Sequence, residues 1–188
     1  MNDGWPLLSR DYPYSYKLGR IRRDHIRGRD GSPHTLTILE NAGAVYVIPL
    51  TTDGTILLLR QYRQSRQQWG WELPAGARFD HDGDLRDLAA KELSEEAGAT
   101  ADQFEYLGYF HDSVPITTSR CDIFLAHGTV IDHEPSPGRT ELITTHLVPV
   151  DHALVMARSG EITDGRSALC LLRAEALLAE TGEAHTGN

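Results

Sequence analysis

Three glutamates crowd into one short stretch of the chain, and their spacing is the first feature that could do chemistry. Glu92, Glu95 and Glu96 lie within residues 91–99, "KELSEEAGA", in a segment whose helical periodicity stops at Gly98. Like charges four residues apart, such as Glu92 and Glu96, destabilise an isolated helix by roughly 0.2–0.5 kcal/mol per pair. The crowding therefore needs a compensating partner.

A helical projection places two of these glutamates on the apolar side. With Leu85 at zero and 100° per residue, Glu92 and Glu96 fall at about −20° and 20°, and Glu95 at about −80°. The apolar positions span roughly −60° to 120°; they are Leu88, Leu85, Ala89, Leu93 and Ala97. A solvated acidic face, the alternative, would lie near ~200°. Since an unpaired buried charge is costly and carboxylates are preferred ligands of hard cations, the pattern favours a divalent-metal site.

Composition narrows the class of protein. The net charge of −9 gives no reason to expect a nucleic-acid partner, and two cysteines far apart in sequence fit a cytoplasmic location. No apolar run approaches the ~18 residues of a membrane span, so we expect no membrane partner. Basic residues cluster within residues 17–29. We interpret them as a charged, solvated edge strand rather than an RNA site.

The elements that must position the glutamates follow from periodicity and turn signals. Residues 1–15 are predicted to be an irregular arm, and two strands should turn at Asp30-Gly31. Asp53-Gly54 marks a hairpin, and further strands and two terminal helices follow the glutamate helix. This order predicts an α+β fold with a mixed sheet covered by helices. We expect an N-terminal arm and β subdomain at 1–42, a main domain at 43–182 and a frayed tail at 183–188.

Residues 76–99, "GARFDHDGDLRDLAAKELSEEAGA", resemble the Nudix box, G-x5-E-x7-R-E-U-x-E-E-x-G-U with U apolar. The segments "RQYRQSRQQWGWELPAG" and "RSGEITDGRSALCLL" are similar to the branch that hydrolyses ADP-ribose and nucleoside-diphosphate sugars. The resemblance spans residues 43–172. It implies an α/β/α sandwich of Nudix type, an N-terminal antiparallel β subdomain that forms a homodimer, and hydrolysis that depends on Mg²⁺ or Mn²⁺.

The match departs from the pattern in the loop before the helix. That loop is one residue longer, and its glutamate, which in the family braces the loop, is replaced by Gly83 with Asp82 and Asp84 beside it. The arginine of the pattern is Lys91, which keeps the charge but lacks the planar fork. These changes affect loop geometry more than the metal ligands.

The resemblance implies a metal site at the start of the box. Glu92 and Glu96 would be direct ligands, and Glu95 a ligand or a neighbouring catalytic group. The backbone carbonyl of Ala75 would be a further ligand, and Gly76 would allow the loop to approach the helix closely.

The resemblance also implies a catalytic base in the acidic loop "DHEPSPGRTEL", residues 132–142. Glu141 is the first candidate, as base and as a metal-side carboxylate, and Glu134 is the second. Arg139 occupies the position of a family acid and cannot act as a base near neutral pH.

Substrate contacts are implied at four positions: Arg63, Arg78, Glu72 and Gly76. Trp71 is interpreted as a core or dimer-interface residue rather than a platform for adenine. The leading substrate is ADP-ribose, giving AMP and ribose 5-phosphate, and the alternative is GDP-mannose or another nucleotide sugar. A non-catalytic Nudix fold that senses a nucleotide is the competing class.

Overall fold

The structure is a computed structural model that describes residues 4–79 and 83–183. Asp82 and the tail residues 184–188 lie outside the described residues. The first three strands form an antiparallel sheet in the order β1-β2-β3; they are β1 (Leu7–Tyr16), β2 (Gly19–Arg27) and β3 (Pro33–Glu40). The predicted N-terminal antiparallel sheet is thus confirmed.

The prediction of an irregular arm over residues 1–15 is wrong, because β1 is a strand of ten residues. Pro13 had favoured an irregular segment, because proline cannot donate a hydrogen bond to a neighbouring strand and usually interrupts a strand. Here β1 is an edge strand, and its pairing with β2 shifts register between Asp11 and Tyr14, around the proline. The irregularity accommodates Pro13 without ending the strand.

The basic cluster is also placed differently from the prediction. It lies largely on β2, which is the middle strand of the sheet and not an edge. Three of its arginines form ion pairs with acids of the same sheet. The pairs are Arg22–Asp24, Arg20–Glu40, Arg22–Glu40 and Arg23–Asp11.

A mixed sheet forms the centre of the molecule. Its main path runs β12-β5-β4-β10-β9, with β6 paired to β5 and β7 paired to β4. The β4–β10 pair is parallel and the others are antiparallel. The strands are β4 (Ala44–Leu50), β5 (Thr55–Arg63), β6 (Gln68–Glu72), β7 (Ala75–Ala77), β9 (Gln103–His111), β10 (Arg120–His127) and β12 (Ile143–Pro149). The short strands β8 (Ala99–Thr100) and β11 (Val130–Ile131) pair with each other.

Helices cover both faces of this sheet, because its strands carry apolar side chains on both sides. On β4, Val45 and Val47 pack with α1 (Leu85–Ala97), while Tyr46 and Ile48 face α2 (Val150–Ser159) and α3 (Gly165–Glu183). The predicted α/β/α sandwich is therefore confirmed. Within the described residues, no helix has the length and apolar character needed to cross a membrane.

The ends of α1 are fixed by local chemistry. The side chain of Asp84 accepts the N–H of Arg86 at the first turn. At the other end Gly98 has φ 62°, a left-handed conformation that favours glycine, and its N–H donates to the carbonyl of Ser94. Between these ends, the helix carries Glu92 and Glu96 on the side toward β7.

Candidate active site

Glu96 is buried under the strand that precedes the box. Glu96 is only 4% exposed. Its Oε2 accepts the N–H of Ala75 at 2.9 Å. Burial raises the pKa of Glu96 to about 8. The hydrogen bond from Ala75 lowers this pKa, and the negative charges of Glu92 and Glu141 raise it further. The helical projection thus located Glu96 correctly on the apolar side.

Glu92 lies directly against Gly76. A Cβ atom added at position 76 would come within 2.2 Å of the Cγ, Cδ and Oε1 atoms of Glu92, so only glycine leaves room for this carboxylate. Burial is the main cause that raises the pKa of Glu92, and the charges of Glu95 and Glu141 add to it. The close approach predicted for Gly76 is present.

Glu95 lies further from the core, beside the lysine that replaces the box arginine. The Nζ of Lys91 is 2.9 Å from Glu95 Oε2 and 3.7 Å from Glu92 Oε1. The side chain of Glu95 is 43% exposed. Lys91 therefore holds Glu95 on the solvent side of the cluster.

The acidic loop brings Glu141 toward the helix. The N–H of Ser136 donates to the carbonyl of Glu95 at 2.8 Å, which fastens the loop to α1. Glu141 Oε2 accepts the N–H of Gly138 at 2.6 Å. The negative charge of Glu141 contributes to the raised pKa of both Glu92 and Glu96. Glu134, the second candidate base, is exposed on the same loop.

These carboxylates would have to change their side-chain positions to hold a cation together. As they stand, no three His, Cys, Asp or Glu side chains among residues 4–79 and 83–183 are grouped as metal ligands. Glu95, Glu96 and Glu141 are each occupied by a local donor. Clustered carboxylates that raise one another's pKa are the donor set that Mg²⁺ or Mn²⁺ would stabilise.

A cavity of about 710 Å³ is lined by Arg63 and Glu72 and by none of the glutamates of the acidic cluster. In the cavity wall Arg63 donates to both oxygens of Glu72, at 2.6–3.2 Å. The positive charge of Arg63 also lowers the pKa of Glu96, which links the cavity to the cluster. The exposed ring of Trp69 lies at the cavity wall.

The sequence did not predict that Arg166, Asp112 and Tyr46 also line this cavity. Arg166, at the start of α3, forms an ion pair with Asp112 at 2.5 Å and donates to the hydroxyl of Tyr46 at 3.4 Å. The residues come from separate elements, so no local sequence signal identifies them. The resemblance of the segment around Arg166 to the pyrophosphatase branch was the nearest clue.

Arg78 and Trp71 both contact side chains of the central sheet. Arg78 donates from Nη1 to Asp122 at 2.9 Å. Trp71 packs against the core on the side of α2 and α3, with its ring 5.1 Å from that of His146 and the guanidinium of Arg60 5.0 Å from its centroid. The core interpretation of Trp71 agrees with this position.

Comparison of the sequence with known proteins identifies the family. Residues 40–169 match the NUDIX domain. The chain is 24% identical over 165 residues to the ADP-ribose pyrophosphatase of Bacillus subtilis (strain 168), covering 87% of this chain and 89% of that protein. It is 30% identical over 146 residues to the ADP-ribose pyrophosphatase of Mycobacterium tuberculosis (strain ATCC 25618 / H37Rv), covering 77% and 70%.

A solved structure supports the fold. The crystal structure of an ADP compounds hydrolase superposes with a TM-score of 0.80 at 18% identity, over 96% of this chain and 97% of that one. Together with the buried box glutamates and the glycine that accommodates them, these matches show that the chain belongs to the Nudix hydrolase family.

Proposed function

We propose that this protein is a Mg²⁺- or Mn²⁺-dependent pyrophosphatase that hydrolyses ADP-ribose to AMP and ribose 5-phosphate. The observation that carries the proposal is the burial of Glu96 under Ala75, with Glu92 packed against Gly76. The negative charges of Glu92, Glu96 and Glu141 act on one another, and a bound divalent cation would neutralise them. The names of the two curated relatives support ADP-ribose as the substrate.

The metal would be held by Glu92, Glu96 and Glu141, with the carbonyl of Ala75 and the more exposed Glu95 beside them. A bound divalent ion neutralises charge on phosphoryl oxygens and lowers the pKa of water. Glu96 would be a rigidly held ligand, because it is buried and one of its carboxylate oxygens accepts the backbone N–H of Ala75. Glu95 is free to rotate once Lys91 releases it.

The cavity lined by Arg63 and Glu72 would bind the rest of the substrate. Its volume of about 710 Å³ lies within the range of ~300–1,000 Å³ typical of small-molecule sites. Arg63 would contact a phosphate, since its guanidinium is oriented by the bidentate pair with Glu72. The pyrophosphate would then lie between Arg63 and the box carboxylates.

Glu141 would accept the proton from the attacking water. Its loop is fastened to α1 through Ser136 and Glu95, which supports a position for this carboxylate near the box glutamates. A general base typically contributes ~10²–10⁴-fold to the rate. Glu95 would assist by orienting the water or its metal.

The experiment is a panel of nucleoside diphosphates linked to sugars or nucleosides, incubated with the protein and Mg²⁺ or Mn²⁺. We expect turnover of ADP-ribose with AMP and ribose 5-phosphate as the products. Preferred turnover of GDP-mannose would assign the alternative substrate class. Nucleotide binding without turnover of any compound would instead identify a sensor.

We also propose a homodimer formed through the N-terminal sheet. This region exposes large apolar side chains that are costly to leave in water, and such patches mark interaction surfaces; they include Trp5, Leu7, Leu8, Tyr12, Tyr14 and Tyr16. Light scattering after size exclusion should give twice the mass of 20.9 kDa. A monomer at micromolar concentration would contradict the proposal.

We further propose a cytoplasmic location for the protein. Its two cysteines, Cys121 and Cys170, are both free and buried. Burial raises the pKa of each thiol, which keeps them unreactive. Such cysteines are compatible with a reducing compartment.

A further inference from the structure

A fully buried carboxylate lies in the sheet on the side that faces α1. Asp122 of β10 has 0% exposure. Its Oδ1 accepts the hydroxyl of Tyr106 at 2.8 Å and two nitrogens of Arg120 at 2.6 and 3.1 Å. Its Oδ2 accepts Nη1 of Arg78 at 2.9 Å. A buried carboxylate is costly unless its oxygens are bonded in this way, so each donor is firmly held.

The strand register connects Asp122 to the box. Asp122 lies opposite Val45 in the parallel β4–β10 pair, and Val45 lies opposite Gly76 in the β4–β7 pair. Arg78 follows Gly76 by two residues, and its backbone N–H also donates to the carbonyl of Gly43 at 3.0 Å. Arg78 therefore fastens the end of β7 by both its side chain and its backbone.

The segment so fastened is the one that touches the metal-site glutamates. Ala75 donates its N–H to Glu96, and Gly76 packs against Glu92. A shift of residues 75–78 would disturb both contacts together. Side chains that orient metal ligands from behind typically change metal affinity about 10–100-fold when they are removed.

The usual brace of this loop is missing from the sequence. Gly83 occupies the position of the bracing glutamate, and Lys91, in place of the arginine, is engaged with Glu95 and Glu92. Asp84, one of the neighbouring acids, accepts the N–H of Arg86 as the cap of α1. The contacts of Arg78 with Asp122 and with the carbonyl of Gly43 lie on the β7 side of this loop.

We propose that Asp122 and Arg78 form an anchor that positions residues 75–78 over Glu92 and Glu96. Arg78 is then a positioning residue, and not the substrate contact predicted from the sequence. The inference rests on the proposed function, because the positioned segment belongs to the proposed metal site.

The test compares Arg78→Gln with Arg120→Gln. Both variants remove one guanidinium from Asp122, but Arg120 lies on β10 itself, two residues away, and makes no contact with β7 in the hydrogen bonds of the described chain. Mn²⁺ binding is measured by electron paramagnetic resonance without substrate, and amide hydrogen exchange is followed at residues 75–79. Metal affinity and backbone opening are thereby separated from turnover.

We expect Arg78→Gln to weaken Mn²⁺ binding by about 10–100-fold and to speed exchange at residues 75–79. Arg120→Gln should change neither quantity. Arg78→Lys should recover most of the affinity, because a single nitrogen of Arg78 makes the contact with Asp122. Asp122→Asn, which keeps the shape of the side chain, should weaken Mn²⁺ binding in the same direction as Arg78→Gln.

Equal effects of Arg78→Gln and Arg120→Gln would overturn the anchor, since they would report only the loss of charge pairing. If Arg78→Gln left Mn²⁺ affinity unchanged and raised the substrate KM, the anchor would also be overturned. Arg78 would then be a substrate contact. Failure of the wild-type protein to bind Mn²⁺ would refute the proposed metal site instead. The exchange comparison would then still decide the anchor, which is overturned if residues 75–79 exchange alike in both variants.

Discussion

Replacing Gly76 by alanine should damage the site through a single contact. The new Cβ would lie 2.2 Å from three atoms of Glu92, where ordinary contact is 3.4–4 Å. Glu92 must therefore move by about 1 Å or more. Gly76 does not have a positive φ, so alanine meets no backbone strain of its own.

The size of the effect follows from this overlap. Forcing extra atoms into a packed region typically costs about 1–3 kcal/mol of stability. A misplacement of about 1 Å in a catalytic arrangement can cost ~10²-fold in rate. Gly76→Ala should thus lose about 100-fold in Mg²⁺-dependent turnover while remaining folded.

A double-mutant cycle isolates the contact. In the Glu92→Ala background the atoms that the new Cβ would meet are absent, so Gly76→Ala should cost less than about 0.5 kcal/mol there. Urea unfolding in EDTA measures the free energy of all four proteins. Ala77→Ser, which adds one atom at the next, exposed residue, is the matched control and should be near neutral.

Equal destabilisation by Gly76→Ala in both backgrounds would refute the reasoning. It would show that the cost arises from the backbone or from another neighbour of position 76. Unchanged turnover in Gly76→Ala would refute the assignment of Glu92 to the metal site.

Three further predictions concern single side chains. Because burial raises the pKa of Glu96 to about 8 from 4.5, its protonated form stabilises the metal-free fold below about pH 4.5, and this stability is lost as pH rises through about 8. Wild type should thus lose a few kcal/mol between about pH 5 and 9 in urea unfolding with EDTA; Glu96→Gln should lose less, and parallel curves would contradict this. Arg63→Lys, which breaks the bidentate pair with Glu72, should raise substrate KM about tenfold in steady-state assays; a normal KM would remove Arg63 from the substrate site. Glu141→Gln should lower kcat ~10²–10⁴-fold, and a loss below about tenfold would assign the base elsewhere, with Glu134 tested next.

The part of the site that the sequence predicted is the part set by local periodicity. Glu96 is buried because it lies one turn from Glu92 on the apolar face of α1, and a helix of 13 residues has little freedom to rotate that face away. The turn at Asp53-Gly54 and the end of α1 at Gly98 are likewise local. Such features depend on residues within a few positions of one another.

The features that the sequence did not predict depend on distant pairing. The strand β1 forms despite Pro13 because β2 is available to pair with it, and β2 becomes a middle strand because β1 covers its free edge. The contact of Arg78 with Asp122 and that of Arg166 with Asp112 join separate elements. No spacing pattern in one sequence encodes such contacts.

The most direct measurement follows ADP-ribose by ³¹P NMR in the presence of Mg²⁺, with wild-type protein and with Glu96→Gln. Wild type should convert the pyrophosphate signals into those of AMP and ribose 5-phosphate. Glu96→Gln should remain folded and show almost no conversion, because it lacks the buried charge that holds the metal. Conversion by Glu96→Gln at the wild-type rate would contradict the central claim that hydrolysis takes place at the buried glutamates of α1.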